Sequence, residues 1–312
     1  MAREETNAWS EEVATGLARR VLASVGLADA TLTLLKFGLL ANFRVENPPR
    51  FLKVADPGFR SAERILERSL RLSAWLDANG FPTPAAAEEG FAEPVAVGDA
   101  WAGLWRWEDA RAERPQPRPT GELLRRLHDL LADCPVPLPE VDHLEVGRRH
   151  IAALREKSDL DEASIEFLLA RADSMEREWT RFGSELGKGK IHGDIAVDNV
   201  LTTARGSVLI DLDNAQVGPR EWDLVKVIPG SPGGWEEEEW SEFTRGYGYD
   251  PRGTHGSDVL REVRHLRTLV WKLSDRRYPD QLERGGRLLD EWMRNPGKRC
   301  YELDWAGAGV AA

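Results

Sequence analysis

The sequence has little cysteine and no long apolar run. Its two cysteines, Cys134 and Cys300, have no cysteine or histidine nearby at the spacing of metal ligands. They are expected to be unpaired thiols in a reducing compartment, which excludes a disulfide scaffold. No stretch approaches the ~18 apolar residues needed to span a bilayer, and the polar, acidic N-terminus does not resemble a secretory signal. These absences predict a cytoplasmic protein that makes no use of a membrane.

Basic charge is also in short supply. The chain has 42 Lys and Arg residues against 53 Asp and Glu residues, a formal net charge of −11. Because phosphate backbones are bound by basic patches, nucleic acid is not expected as a partner. A site of negative potential would repel an anionic substrate, so a cationic or neutral small molecule fits the charge better. With 312 residues, the chain is long enough for two lobes that share a cleft.

The order of local patterns indicates an α+β protein with a strand-rich N-terminal lobe (1–108) and a mostly helical C-terminal lobe (109–312). A helical pattern over 1–30 precedes three β-prone runs within 31–56, which predict an antiparallel meander. We expect a further helix over 59–80 and two more strands between 94 and 107. Helical spacing then dominates, interrupted by short strands and a loop around 190–215.

The strongest chemical signal is the segment HGDIAVDNVL, residues 192–201. Asp194 and Asn199 are five residues apart, the separation of the Asp and Asn in the kinase catalytic loop. Asp211 ends an apolar run, and a carboxylate at the end of a buried strand is well placed to bind a metal ion. Magnesium prefers one or two carboxylates together with phosphate oxygens and water, so Asn199 and Asp211 would suffice. The pattern predicts phosphoryl transfer from a nucleotide.

The segments HGDIAVDN, IDLDNA and VGPREWDL together resemble the aminoglycoside phosphotransferase and choline kinase-like family. The resemblance implies a two-lobed protein-kinase-like fold that transfers the γ-phosphoryl group of ATP or GTP, with Mg²⁺, to a hydroxyl of a small molecule. It also implies roles for individual residues: Asp194 as catalytic base, Asn199 and Asp211 as metal ligands, Asp213 as a further metal-site carboxylate, and Asp223 as a brace for the catalytic loop. One departure is the Ile-Ala-Val-Asp at 195–198, where the family commonly has Leu-His-Pro-Gly.

Residues that contact the nucleotide are expected in the N-terminal lobe. Lys53, in the apolar segment FLKVAD, would neutralise the α- and β-phosphates as the strand lysine of kinases does. The alternative is an edge-strand lysine whose amine reaches water. Its helix partner would be Glu63 or Glu67, which share one helical face, and we favour Glu67. The phosphate-covering loop is expected within 37–43, where Gly38 is the single glycine.

The hinge between the lobes is expected to bind the purine through backbone groups of Arg106, Trp107 and Glu108. Backbone groups leave no side-chain signature, so the choice between ATP and GTP stays open. His192 is expected to hold the loop backbone rather than to act as a base. Both a monomer and a homodimer are compatible with the sequence.

Several alternatives remain open at this level. The favoured acceptor is an antibiotic, as for a resistance-type kinase, and the alternative is a primary metabolite such as choline, homoserine or a sugar. LIDLDNA also resembles the first motif of haloacid-dehalogenase-type phosphatases, but that reading leaves Lys53 and Asp194 without a role. A catalytically silent nucleotide-binding regulator is disfavoured because the Asp, Asn and Lys positions are all present. The acidic run 236–239 is either a solvated helix face or a cation-binding patch.

Overall fold

The computed structural model describes residues 9–87 and 91–305, which form two compact units. The first unit comprises the chain up to Arg114 together with Cys134–Pro137 and Val200–Asn214. The second comprises Pro115–Asp133, Leu138–Asn199 and the chain from Ala215 onward. This division departs from the predicted boundary at residue 108, because a later hairpin groups with the N-terminal residues.

The first unit is built on an antiparallel sheet with the strand order β1-β2-β3-β5-β4, accompanied by two helices and a separate β7-β8 hairpin. The predicted meander and the two further strands are both confirmed. Their bounds are α1 Glu11–Ser24, β1 Thr31–Lys36, β2 Leu40–Glu46, β3 Arg50–Ala55, α2 Ala62–Ala78, β4 Val95–Val97, β5 Ala100–Arg106, β7 Val200–Thr203 and β8 Gly206–Leu209.

Helix α1 is shorter than the pattern over residues 1–30 predicted, and the part of that pattern before Trp9 lies outside the described residues. The helix begins after Ser10, whose hydroxyl accepts a hydrogen bond from the Val13 N–H and so caps the first turn. Its apolar stripe packs on the sheet face formed by the alternate residues Ala41, Phe43 and Val45, all of which are buried. Each large apolar side chain buried in this way contributes about 1.5–3 kcal/mol. This core makes β3 a rigid carrier for Lys53.

The hairpin joins the first unit through its own backbone. The N–H of Leu209 donates to the carbonyl of Pro82 at 3.0 Å, and Thr83 Oγ1 donates to the carbonyl of Leu209 at 2.8 Å. The N–H of Arg111 donates to the carbonyl of Thr202 at 2.8 Å. These bonds explain why the residues that follow β8 belong with the N-terminal unit and not with the helices around them in sequence.

The second unit is mostly helical, as predicted, with one short β6-β9 ribbon. Its elements are α3 Pro117–Leu130, α4 His143–Lys157, α5 Glu162–Arg181, β6 Lys188–Ile191, β9 Gln216–Pro219, α6 Glu221–Lys226, α7 Glu237–Tyr247, α8 His255–Ser274 and α9 Pro279–Arg294. Helix α8 is the central element, with buried residues on most of its surface. Across the described residues, none of the helices combines the length and apolarity that crossing a membrane requires.

Candidate active site

Lys53 is held inside the first unit between two carboxylates. Its side chain lies on the central strand β3 and is only 5% exposed. Nζ lies 2.7 Å from Asp211 Oδ1 and 2.5 Å from Asp213 Oδ2. Burial disfavours the charged amine, but the two carboxylates outweigh it and raise the pKa of Lys53 above its ordinary value. Lys53 is therefore a charged, fixed lysine, and the edge-strand alternative does not apply.

The two carboxylates follow β8 on a tight turn. Asp211 has a φ of 67°, a left-handed conformation that is uncommon outside glycine and is found preferentially at functional sites. Asp213 lies in the 3-10 turn Leu212–Asn214, and Arg68 of α2 donates to its backbone carbonyl at 2.5 Å. Asp213 Oδ1 is buried and has no hydrogen-bond partner among the described residues. An unsatisfied buried carboxylate oxygen beside a second carboxylate fits a hard cation such as Mg²⁺.

The structure does not form the predicted ion pair between Lys53 and Glu67. Both residues are described, and Glu67 pairs instead with Arg71 one turn along α2, at 2.9 Å, while Lys53 pairs with Asp211 and Asp213. Glu67 points along the helix surface, where 35% of its side chain is exposed. What α2 contributes to the Lys53 cluster is Arg68, the next residue in the chain, through the Asp213 carbonyl.

The predicted phosphate-covering loop is shorter than expected, and the residues of the predicted hinge have partners within the first unit. Residues 40–43 of the predicted loop belong to β2, which leaves a β1–β2 turn around Gly38, whose carbonyl accepts a hydrogen bond from the Trp9 indole at 2.7 Å. At the hinge, the N–H of Arg106 donates to the carbonyl of Ala85, so this donor is already engaged. Trp107 stacks under the Arg44 guanidinium at 4.7 Å, and Glu108 pairs with Arg205. Purine binding by these residues stays a prediction.

The segment around Asp194 in the second unit is anchored by Asp223. Its buried carboxylate accepts hydrogen bonds from the backbone N–H groups of His192 (2.9 Å) and Gly193 (2.8 Å) and contacts His128 Nε2 at 2.9 Å. Burial disfavours its charge, but the bonds to His128 and to the backbone overcome this and lower the pKa of Asp223. The buried His192 ring accepts from the Asp194 N–H at 3.3 Å. Both residues therefore hold the loop backbone next to Asp194.

Asn199 is oriented by the same loop. Its Nδ2 donates to the backbone carbonyl of Asp194 at 2.9 Å, across the five-residue spacing seen in the sequence. Because the amide nitrogen is used in this way, the amide oxygen Oδ1 is the atom that Asn199 can offer to a cation. No group of three or more His, Cys, Asp and Glu side chains forms a metal cluster within the described residues. Magnesium can bind with fewer protein ligands than that, because it usually keeps several waters.

Asp194 itself contacts two cations that the sequence patterns did not reveal. Arg264 of α8 donates to Asp194 Oδ1 at 2.8 Å, and Lys226 of α6 lies 3.4 Å from the same oxygen. Arg264 also packs over the Trp222 ring at 4.9 Å. Lys226 follows Asp223 by three residues and could have been suspected as a neighbour of the brace. Arg264 is 70 residues from Asp194 and gave no local signal.

Comparison with protein families identifies the family of the chain. The model of the phosphotransferase enzyme family (APH) matches residues 31–264, more than half of the chain. The chain belongs to this family. It is a small-molecule phosphotransferase, and family membership gives no support to the phosphatase alternative for the LIDLDNA segment. No curated protein sequence matches it.

Solved structures show that the kinase-like fold extends over almost the whole chain. An aminopropanol kinase associated with a microcompartment has 17% identity and a TM-score of 0.68, with 92% of this chain and 99% of that chain covered. Amicoumacin kinase hAmiN, solved with AMP-PNP, Ca²⁺ and Ami, has 14% identity and a TM-score of 0.67, with coverage of 96% and 99%. The GDP and kanamycin complex of APH(2")-IIia has 15% identity and a TM-score of 0.63, with coverage of 90% and 98%. Identities this low establish the fold alone.

Proposed function

We propose that this protein is a cytoplasmic, magnesium-dependent O-phosphotransferase that moves the γ-phosphoryl group of ATP or GTP to a hydroxyl of a small molecule. The observation that supports it most directly is the Asp194 loop, in which the Asp223 brace and the Asn199 bond fix the backbone on both sides of the carboxylate. A positioned carboxylate of this kind can accept the proton of an attacking hydroxyl.

In this proposal Asp194 orients the acceptor hydroxyl and takes its proton as the oxygen attacks the γ-phosphorus. The bond to the nucleoside diphosphate then breaks, and the charge leaves with that group. Lys53 would bind the α- and β-phosphates. Asn199, Asp211 and Asp213 would hold Mg²⁺, which supplies positive charge to the phosphate oxygens when it is bound. The backbone at 106–108 would bind the purine.

The acceptor that we favour is an antibiotic, since an amicoumacin kinase and an aminoglycoside phosphotransferase share the fold. A primary metabolite such as choline, homoserine or a sugar is the second candidate class, and the similarity to an aminopropanol kinase supports keeping it. Both a monomer and a homodimer remain compatible with this activity.

The test is a nucleotide-consumption screen over both acceptor classes, with ATP and GTP in parallel and with Mg²⁺ or EDTA. We expect consumption only with a hydroxylated acceptor and Mg²⁺. Asp194→Asn should lose about 10²–10⁴-fold in kcat, as for a removed general base. Asp159→Asn is the matched control, because Asp159 also pairs with an arginine, Arg276, but is 88% exposed. Nucleotide binding without turnover of any acceptor would favour the silent regulator instead.

A further inference from the structure

A group of positive side chains surrounds Asp194 in the second unit. Lys226 and Arg264 contact the same carboxylate oxygen, at 3.4 Å and 2.8 Å. Arg267 lies one turn further along α8. Burial and then the charge of Arg264 lower the pKa of Lys226, and the same two causes lower the pKa of Arg267 to about 10. These cations therefore repel one another inside a largely buried site.

Two acidic groups besides Asp194 act on this cluster. Asp198 favours the charged form of Lys226, and Asp223 favours that of Arg264. Asp223, however, already accepts two backbone hydrogen bonds and contacts His128. The Nε atoms of Arg264 and Arg267 are buried and have no hydrogen-bond partner among the described residues. Three cations thus face three carboxylates, but the charge is unevenly placed, because Lys226 and Arg264 share a single oxygen of Asp194.

The net charge of the chain does not determine the charge of the acceptor that binds beside Asp194. Its effect is screened beyond a Debye length of about 8–10 Å, whereas the cations contact the site directly. The acidic run 236–239 is also accounted for elsewhere. It forms the capping box and first turn of α7, and Glu237 pairs with Arg252 at 2.6 Å. Among the described residues, the two side chains at Asp194 Oδ1 are both cationic, which suits an anionic substituent on the acceptor.

We propose that Lys226 and Arg264 recognise an anionic substituent, a carboxylate or a phosphate, on the acceptor whose hydroxyl is phosphorylated. The inference rests on the proposed function and replaces the expectation of a cationic or neutral acceptor. The two residues have different tasks. Arg264, whose side chain is 9% exposed, is a positioning residue for Asp194. Lys226, 20% exposed, is the one that the acceptor anion reaches, and it determines specificity.

The γ-phosphate of the nucleotide is also an anion that Lys226 and Arg264 could bind. The first experiment distinguishes it from an anionic group of the acceptor. Inorganic phosphate is titrated calorimetrically into the protein, alone and after saturation with AMP-PNP and Mg²⁺. We expect phosphate to bind in both cases, because the acceptor anion and the γ-phosphate occupy different positions. Binding that disappears with AMP-PNP would assign the cluster to the γ-phosphate and overturn the inference.

Variants of Lys226 test whether inorganic phosphate binds at this residue. Lys226→Met should weaken phosphate binding about tenfold, the value of one charge-assisted hydrogen bond, and Lys226→Arg should restore most of it. Lys188→Met is the control, because Lys188 also pairs with a carboxylate, that of Glu140, but on the surface. Unchanged binding in Lys226→Met, or no phosphate binding in any form of the protein, would refute the proposal.

Turnover separates this inference from the proposed function. Acceptor pairs that differ chiefly in the charge of one group are compared, namely glycerate with glyceramide and gluconate with gluconamide. We expect the anionic member to have the higher kcat/KM, by about tenfold, and Lys226→Met to remove that preference. Turnover of neutral members alone would refute the inference and leave the phosphotransferase intact. Phosphate binding at Lys226 without turnover of any acceptor would keep the anion site and refute the proposed function.

Discussion

Removing the charge of Lys53 should destabilise the first unit far more than removing a surface lysine. Lys53 is 5% exposed and lies between Asp213, whose side chain is 11% exposed, and Asp211, whose side chain is 38% exposed. In Lys53→Met, the Asp213 carboxylate would remain buried without its counter-charge. Asp211 can be solvated by water and should matter less.

The magnitude follows from this difference in burial. Breaking a buried ion pair by removing one partner costs about 3–5 kcal/mol, whereas exposed pairs contribute about 0–1 kcal/mol. Because Asp211 is partly solvated, we place Lys53→Met near the lower end, at about 3 kcal/mol. Lys53→Met combined with Asp213→Asn removes both charges, so the double variant should be less destabilised than the sum of the single variants, by about 2 kcal/mol.

The assay is urea unfolding monitored by circular dichroism, without nucleotide or Mg²⁺. Lys188→Met is the matched control, since Lys188 and Glu140 form an ion pair whose side chains are 52% and 67% exposed. It should change the free energy of unfolding by less than about 1 kcal/mol. The reasoning fails if Lys53→Met is as mild as this control, or if the effects of Lys53→Met and Asp213→Asn simply add.

Three further predictions concern the second unit. Asp223→Asn places an amide against the N–H groups of His192 and Gly193, so we expect at least about 1–3 kcal/mol of destabilisation and slower nucleotide consumption. A variant that is both stable and active would show that Asp223 does not hold the loop. Gly121→Ala puts a methyl group 2.1 Å from the Phe243 carbonyl oxygen, between α3 and α7, and should lower the free energy of unfolding in urea by about 1–3 kcal/mol or more. Its control is Gly16→Ala, whose methyl group meets nothing within 4 Å, so that variant should be neutral or stabilising. Burial lowers the pKa of His265 to about 3. Because the unfolded chain protonates this histidine below pH ~6.5 and the folded protein does not, stability should decline as the pH falls from ~6.5 towards ~3, by about 1.4 kcal/mol per pH unit. His265→Phe should flatten this dependence between pH 7 and 5, and an unchanged slope would show that His265 is not its source.

The strands of the first unit and the helices of the second could be predicted because each depends on residues close in sequence. The alternation of Ala41, Phe43 and Val45 identifies a strand with one buried face. The bounds were less predictable. The grouping of the hairpin after Asn199 with the first unit was not apparent in the sequence, because its attachment rests on backbone bonds to Pro82 and Arg111, which leave no sequence pattern.

The sequence by itself determined which side chains are candidates for the chemistry, since the five-residue separation of Asp194 and Asn199 is a local constraint on one loop. Only the tertiary structure decided what those side chains touch. Lys53 pairs with carboxylates 158 and 160 residues away, and Asp194 is paired with an arginine 70 residues away. Helical periodicity relates residues three or four apart and therefore left Glu63 and Glu67, on one helical face, as candidate partners for Lys53. Pairs between charges far apart in sequence form instead because a buried charge is costly unless an opposite charge lies beside it, and only the packed chain decides which charges lie side by side.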